Sequence, residues 1–240
     1  MSDFQKPKRV KHALNNPKLR ISAPNPAVKG VYSTLAFDVY QNNPRIVVDT
    51  KDPSLANPDN GYGRITAALD PTVFGVFLEF LDKSIKSDGA TKFKIENYGF
   101  EYVNGQRSQE AAHLSDVWVG KEADGTVFIS VISKKPGFPT IKFPFGLSDQ
   151  RWHKIYHGDG TQFTKAELSE KAAAAYLRLL TNLVPNVLDT HYYDAPPNTN
   201  WKNKGNGGGY GGNRGGNGGG GGYNKPAPAA ADLGDDDLPF

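Results

Sequence analysis

Apolar and polar residues alternate along several short segments of the 240-residue chain, and a period of two is typical of β-strands with one buried face. In residues 31–40, the apolar side chains of Leu35, Phe37 and Val39 fall on one face, whereas Tyr32 falls on the other. The same pattern predicts further strands at 45–50, 91–103, 114–121, 126–134, 140–145 and 152–156, the third and fourth of these forming a hairpin.

Two segments have the apolar spacing of α-helices instead. Asp70 precedes a proline and apolar residues at intervals of three and four, which predicts a helix capped by Asp70 and ending near Ser87. Thr164 and Glu167 have the spacing of a capping box, and the apolar run after them predicts a second helix that ends near Pro185. Because helices and strands do not alternate, the pattern predicts a mainly β fold with two helices, arranged as a small closed barrel.

Composition divides the chain into four segments. Residues 1–27 contain four prolines and no apolar period, which predicts a basic, flexible N-terminal arm. Residues 28–190 have the size of one domain with its own core. In residues 191–231, a stretch of 18 positions contains 13 glycines, which predicts a disordered linker in front of an acidic tip at residues 232–240.

Charge is segregated along the chain, although the formal net charge is only +3. Residues 1–30 carry a net charge of +6, residues 201–231 carry +4, and residues 232–240 carry −4. Separate basic and acidic segments indicate separate electrostatic roles, and binding of a polyanion is the natural role for the basic ones.

Several functional classes find no support in the sequence. The chain has no cysteine, so a disulfide framework and a thiolate metal site are excluded. His153 and His157 are four residues apart in a predicted strand or loop, where that spacing does not put them on one face, and we expect no metal. No phosphate-binding loop or hydrolase motif occurs, so we expect no enzymatic activity and no cofactor. Residues 1–10 lack an apolar signal segment and no run of 18 apolar residues exists, which predicts a cytoplasmic protein with no membrane span.

The end of the chain carries the most specific signal. After the glycine-rich stretch come six residues, Asp235, Asp236, Asp237, Leu238, Pro239 and Phe240. The aspartates offer negative charge to a basic surface, and Phe240 offers an aromatic anchor together with a carboxylate. Pro239 limits the conformations that binding must order. These residues therefore predict a segment that binds partner proteins.

This tip resembles the tip of single-stranded DNA-binding proteins of the bacterial and bacteriophage type, in which such residues follow a glycine-rich linker behind an OB-fold. The resemblance is close over residues 235–240 and extends in composition over residues 205–222, and the body looks most like divergent bacteriophage members. It implies an OB-like barrel of five to six strands that binds and protects single-stranded DNA without sequence preference. It also implies recruitment of replication, recombination and repair enzymes by the tip, in an infected bacterial cell if the protein is viral.

In the family that the tip resembles, the tip also competes with DNA for the binding groove. The basic and glycine-rich segment of about 31 residues before the tip has a root-mean-square span of roughly 30 Å, which is comparable with the diameter of the domain. We therefore expect DNA to displace the tip from the groove and release it for partner enzymes.

Aromatic and basic residues are interleaved between residues 92 and 156, as binding of a single strand requires: rings stack on bases and cations contact phosphates. Because Val117 and Val119 belong to one face of a strand, Trp118 belongs to the other. The predicted stacking residues are Tyr98, Tyr102, Trp118, Trp152 and Tyr156, and the predicted phosphate contacts are Lys92, Lys94, Lys134, Lys135, Arg151 and Lys154. The basic arm could also follow phosphates or tie neighbouring protomers together by self-association.

Two other functions are alternatives to single-stranded DNA binding. OB-like domains and glycine-rich tails also serve RNA, so the first alternative is an RNA-binding or RNA-chaperone protein. The second is an enzyme that acts on single strands, a nuclease or a strand-transfer factor. Competition between poly(dT) and poly(U) distinguishes RNA binding from DNA binding. Incubation of a labelled single strand with Mg²⁺ distinguishes an enzyme from a binding protein.

Overall fold

A computed structural model describes residues 11–57, 61–100, 102–103, 106–146 and 153–194 of the chain. The chain divides into two units, Met1–Ala195 and Pro196–Phe240, and all of the described residues belong to the first. Their fold is mainly β with two α-helices, as the sequence predicts.

The described residues form twelve strands, two α-helices and three short 3₁₀ turns. The strands are β1 (Ile21–Val28), β2 (Val31–Tyr40), β3 (Asn43–Asp49), β4 (Ala56–Asn57), β5 (Gly61–Tyr62), β6 (Arg64–Ala68), β7 (Thr91–Gly99), β8 (Tyr102–Val103), β9 (Gln106–Arg107), β10 (Ala112–Lys121), β11 (Val127–Ser133) and β12 (Lys142–Pro144). The helices are α1 (Pro71–Lys86) and α2 (Lys165–Thr190), and the 3₁₀ turns are Ala13–Asn15, Pro17–Leu19 and Pro53–Leu55.

Two four-stranded antiparallel sheets organise the fold. Sheet I has the order β1-β2-β3-β6, and sheet II has the order β12-β11-β10-β7. In addition, β4 pairs with β5 and β8 pairs with β9 as two-stranded ribbons. Strand β1 lies next to β12, and β6 lies next to β10 and β11. Leu35 and Val48 of sheet I share one buried core with Val117 and Ile129 of sheet II and with Phe77 of α1.

Helix α1 confirms the predicted capping and packs against the inner side of sheet II. The carboxylate of Asp70 accepts a hydrogen bond from the amide of Val73 at 2.9 Å, which satisfies one of the free amides of the first turn. Phe77 is fully buried, and the ring of Phe80 stacks on the ring of Phe93 in β7 with centroids 4.7 Å apart. Because α1 occupies this side of β7, the alternate side chains of the strand point away from the core.

Helix α2 begins as predicted but ends later. The hydroxyl of Thr164 accepts a hydrogen bond from the amide of Glu167, and the Glu167 carboxylate accepts one from the amide of Thr164, so the capping box is formed. The helix continues through Pro185 to its end at residue 190. Pro185 removes one backbone hydrogen bond, but Val184 and Val187 on either side of it are buried in the core, and this packing outweighs the loss. In the part of the chain that the structure describes, no helix combines the length and apolar character needed to cross a membrane.

The predicted flexible arm, residues 1–27, differs from the structure over its described part, residues 11–27. Here two 3₁₀ turns lead into β1. Leu14 is only 3 % exposed, and Asp38 on the outer side of sheet I contacts both His12 and Asn15 at 3.2 Å. The sequence pattern gave no sign of this anchorage, because one buried leucine makes no period.

Three further elements differ from the sequence prediction. Strand β1 contains Pro24 and Pro26, which argued against a strand, but among the described strands β1 pairs with β2 alone, with register shifts around Pro26. At such an edge a missing amide is tolerated. Strand β6 was not predicted either. In contrast, residues 153–156 of the predicted strand at 152–156 form only an isolated bridge, between Tyr156 and Gln162.

Candidate nucleic-acid interface

The strands of sheet II direct alternate side chains to the core and to the opposite, outer face. In β10, Val117 and Val119 are buried at 0 % and 1 % exposure, so Trp118 between them belongs to the outer face. In β11, Ile129 is fully buried, and Phe128 therefore lies on the same outer face as Trp118. The apolar core thus fixes the direction of two aromatic rings.

Strand register arranges the outward residues of sheet II in three rows that run across the strands. The first row is Lys92, Gly120, Phe128 and Pro144; the second is Lys94, Trp118, Ser130 and Lys142; the third is Glu96, Asp116 and Ile132. The first two rows therefore combine aromatic rings with lysines, whereas the third row carries two carboxylates. We refer to these three rows as the outer face of sheet II.

Trp118 lies at the centre of this face. The ammonium nitrogen of Lys94 lies 5.8 Å from the centre of the indole ring, which is cation–π distance. A shallow depression of about 190 Å³ borders the ring, and its lining includes Phe128, Ile132 and Thr140. The indole N–H of Trp118 has no hydrogen-bond partner among the residues that the structure describes. The centre of the face is thus an apolar surface beside a cation.

Two lysines lie over Phe128 and share one carboxylate. The ammonium of Lys142 is 5.0 Å and that of Lys92 is 5.9 Å from the centre of the Phe128 ring. Glu122, at the start of the turn after β10, pairs with Lys92 at 3.7 Å and accepts a hydrogen bond from Lys142. The hydrogen bond from Lys142 is the main reason that the pKa of Glu122 lies below its usual range. Glu122 therefore stays ionised and holds both ammonium groups.

Gly120 leaves room for the side chains of the first row to pack together. A Cβ atom at this position would clash with the carbonyl oxygen of Thr91 and lie 3.2 Å from both Lys92 Cγ and a Phe128 ring carbon. Any side chain would therefore disturb the pairing of β10 with β7 or displace the ring. The glycine lets the Phe128 ring and the stem of Lys92 meet above the sheet.

The third row ends in an ion-pair network around Asp116. The side chain of Asp116 is 7 % exposed, and its two oxygens contact His113 at 2.7 Å and Lys134 at 2.5 Å. Burial raises the pKa of Asp116, but the hydrogen bonds from Lys134 and His113 outweigh it and lower the pKa overall. A register shift between His113 and Ser115 lets His113 and Asp116, three residues apart, meet on the outer face.

Glu96 forms the other half of this acidic end. Its carboxylate accepts hydrogen bonds from Lys94 at 2.5 Å and from the hydroxyl of Tyr98 at 3.1 Å, and the bond from Lys94 is the main cause of its lowered pKa. Potential ligand atoms of Glu96, His113 and Asp116 lie within 4.8 Å of one another, a grouping that could hold a metal ion. Because lysines already bind both carboxylates, these residues form a charge-balanced network as they stand.

The predicted site residues separate into three groups. Lys92, Lys94 and Trp118 lie together on the outer face of sheet II, and Tyr98 and Lys134 lie at its acidic end, where Tyr98 stacks on His113 with centroids 4.8 Å apart. Lys135 is exposed in the loop after β11, and Lys154 and Tyr156 are exposed in the segment before α2, outside sheet II. The remainder lie outside the described residues or have no described side chain: Tyr102, Arg151, Trp152, Asp235, Asp236, Asp237, Leu238, Pro239 and Phe240.

Sequence reasoning missed two residues of this face, Phe128 and Lys142, and also Glu122 in the turn beside it. The alternation of residues in β11 could have identified Phe128. Valine and isoleucine at positions 127, 129 and 131 point inward, so residue 128 points outward. Lys142 likewise precedes the fully buried Phe143. No comparable pattern identified Glu122, because its role depends on the pairing of β11 with β12.

The outer face of sheet II offers rings, cations and a depression in one place, but its carboxylates are all paired with lysines. This arrangement suits binding of an anionic ligand with flat apolar parts better than proton transfer. Comparison of the chain with protein-family models, with curated proteins and with solved structures gave no match.

Proposed function

We propose that the outer face of sheet II binds single-stranded DNA without sequence preference, and that the protein protects single strands in replication, recombination and repair without catalysing a reaction. One observation carries the proposal: Trp118 lies on the open face of a sheet with Lys94 beside its ring and Lys142 in the same cross-strand row. Stacking of a base on such a ring contributes about 1–3 kcal/mol and tolerates every base.

The spacing of the rows supports this function. Adjacent rows are two residues apart along each strand, or about 6.8 Å. Lysines in the first two rows can therefore contact phosphates on both sides of a base that stacks on Trp118. Binding would release counterions, and we expect the logarithm of the affinity to fall with the logarithm of salt by about 0.7 for each phosphate contact.

The same proposal extends to the architecture. We propose that sheets I and II are the two parts of an OB-like barrel, although the two sheets together contain eight strands and not the five to six that the sequence predicts. The position of β1 beside β12, and of β6 beside β10 and β11, supports this proposal, as does the single shared core. Helix α1 connects the last strand of sheet I to the first strand of sheet II.

The tip, residues 232–240, has the second role in this proposal, recruitment of partner enzymes. Its support is the sequence alone: an aspartate run followed by Leu238, Pro239 and Phe240. We expect deletion of residues 232–240 to abolish partner binding and to raise DNA affinity at low salt, since the tip would no longer compete with DNA. Unchanged DNA affinity at low salt would contradict the competition.

Fluorescence of a single-tryptophan protein tests the DNA site. Replacing Trp152 and Trp201 by Phe leaves Trp118 as the sole tryptophan. We expect oligo(dT) to quench its emission, because a base stacks on the indole ring, and 1 M salt to restore it. Emission that oligo(dT) leaves unchanged at saturating binding would exclude Trp118 from the interface.

Two further measurements test the alternative functions. Preference for poly(U) over poly(dT) would favour the RNA-binding function, and cleavage of labelled single strand in the presence of Mg²⁺ would favour a nuclease. We expect poly(U) to bind no more tightly than poly(dT), because the described residues of the outer face include no group placed specifically for the 2′-hydroxyl. We also expect the labelled strand to remain intact.

A further inference from the structure

Phe128 combines two properties that rarely occur together: it belongs to the outward set of a β-strand, yet it is only 3 % exposed. Its neighbours in the strand, Val127 and Ile129, are fully buried on the core side. The ring therefore does not contribute to the core and is covered from the solvent side instead.

Two side chains that contribute to this cover are themselves accessible. The ammonium groups of Lys92 and Lys142 lie 5.9 Å and 5.0 Å from the ring centre, and these side chains are 49 % and 52 % exposed. Lysine stems rotate readily when the ammonium group finds another partner. These two side chains can therefore move away from the ring without any change in the backbone.

Glu122 holds this cover in position. It binds both ammonium groups and is itself attached to a fixed turn, in which its amide donates to the carbonyl of Thr126 at 2.9 Å. Its neighbour Lys121 is 5 % exposed and donates to Glu170 at 2.8 Å, which anchors the end of β10. The carboxylate therefore stands where it can hold the two lysines as a phosphate group would.

We propose that Phe128 is a second stacking position for a nucleobase, and that Glu122 keeps it covered until DNA phosphates take over Lys92 and Lys142. The inference rests on the proposed function and names a base-binding position within that site. Phe128 lies diagonally across from Trp118 on the neighbouring β-strand. The bases that stack on these two rings are therefore neighbours along the DNA.

The first experiment removes the charge of Glu122 and measures binding of fluorescein-labelled oligo(dT) by anisotropy. We expect Glu122→Gln to bind about twofold to tenfold more tightly than the natural protein, because the two ion pairs that compete with phosphates are lost. Glu79→Gln is the matched control, since it removes the same charge from an exposed pair with Lys83 on α1. We expect its affinity to stay within twofold of the natural protein. Affinity of Glu122→Gln equal to or below that of the natural protein overturns the proposal.

The second experiment tests whether Phe128 receives a base. An oligonucleotide that carries 5-iodouracil is irradiated on the protein, and the crosslinked residues are identified by mass spectrometry. We expect crosslinks at Trp118 and Phe128 in the natural protein, and a larger share at Phe128 in Glu122→Gln. We also expect Phe128→Leu, which keeps an apolar side chain, to reduce the gain of Glu122→Gln when the two changes are combined, because the freed lysines still bind phosphates but the ring no longer stacks on a base. An undiminished gain in Phe128→Leu, or a crosslink at Trp118 alone, contradicts the second stacking position.

The outcomes separate this inference from the proposed function. If oligo(dT) quenches Trp118 but Glu122→Gln does not change the affinity, the proposed DNA site is supported and only the proposed role of Phe128 and Glu122 is contradicted. Absence of quenching and of crosslinks removes both. Thermal unfolding of each variant, followed by circular dichroism, verifies that it is folded at the temperature of the binding measurements.

Discussion

The outer faces of sheets I and II differ, although both sheets bury their inner faces in the same core. On sheet I, outward positions such as Ala36 and Val47 line a cleft together with Leu14 of the N-terminal segment, and Val47 is only 7 % exposed. On sheet II, outward positions carry Trp118 and Lys94, and the side chain of Lys94 is 39 % exposed. One outer face is thus partly covered by the N-terminal segment, and the other presents an aromatic ring beside a lysine.

This difference lies in the outward residues of the two sheets and not in the inward ones. Inward residues are alike in the two sheets, for example Leu35 in sheet I and Val117 in sheet II, both fully buried. Outward residues differ around Leu14 and Trp118: on sheet I the small side chains of Ala36 and Val47 leave room for the segment anchored on Asp38, whereas on sheet II Trp118 lies beside the ammonium of Lys94. The core pattern therefore predicts the sheets, and only the alternate residues predict their use.

The largest expected effect concerns the packed face. We expect Leu14→Ala to lower the free energy of unfolding by about 2–5 kcal/mol, because it leaves a cavity under the N-terminal segment. Urea unfolding measures the loss, with the exposed Lys18→Ala in the same segment as a control that stays within about 0.5 kcal/mol. Affinity of the folded variant for oligo(dT) should not change. A large loss of DNA affinity at unchanged stability would mean that sheet I, too, contacts DNA.

The second effect concerns the open face. We expect Trp118→Ala to weaken oligo(dT) binding by about 1–3 kcal/mol, because the ring is lost as a stacking surface, whereas Trp118→Phe should retain much of the affinity. Tyr40→Ala is the matched control, since Tyr40 lies on the outward side of sheet I under the guanidinium of Arg45, which is 4.2 Å from its ring centre. Anisotropy titrations compare the variants. Equal losses of oligo(dT) affinity in Trp118→Ala and Tyr40→Ala would mean that the two outer faces do not differ in DNA binding.

Most of the fold could be predicted from the sequence, because its determinants are local. The alternation in residues 31–40 predicted β2, and the N-cap at Asp70 and the capping box at Thr164 marked the starts of the two helices. The sequence did not reveal β1 or the anchorage of Leu14, since these depend on contacts between residues far apart in the chain. The passage of α2 through Pro185 depends in the same way on its buried neighbours.

The candidate site was predictable only in part, for a related reason. Alternation identified Trp118, Lys92 and Lys94 as outward residues within single strands. The role of Phe128 requires knowledge of which strands are neighbours, because its cover comes from β7 on one side and β12 on the other. The pairing of Glu122 with two lysines likewise spans three elements and leaves no pattern in the sequence.

A third, smaller effect concerns charge. We expect Lys94→Gln to reduce the slope of the logarithm of oligo(dT) affinity against the logarithm of salt by about 0.7, since one phosphate contact is lost. Arg64→Gln is the control on sheet I, where Arg64 is exposed and paired in register with Asp49. Its slope should equal that of the natural protein. A reduced slope in both variants would indicate that phosphates pass over both sheets.

The smallest expected effect is a dependence of DNA affinity on pH. In the free protein, hydrogen bonds from Lys142 and Lys94 hold the pKa values of Glu122 and Glu96 below their usual range. If phosphates take these lysines, both pKa values rise toward the usual value of a glutamate side chain, so the complex binds protons that the free protein does not. Affinity for oligo(dT) should therefore rise by about twofold to fivefold as the pH falls below about 5, and be constant above it. The double variant Glu96→Gln/Glu122→Gln should lack this rise. An equal rise in the double variant would assign the titration to groups other than Glu96 and Glu122, and would contradict the transfer of Lys94 and Lys142 from these carboxylates to DNA phosphates.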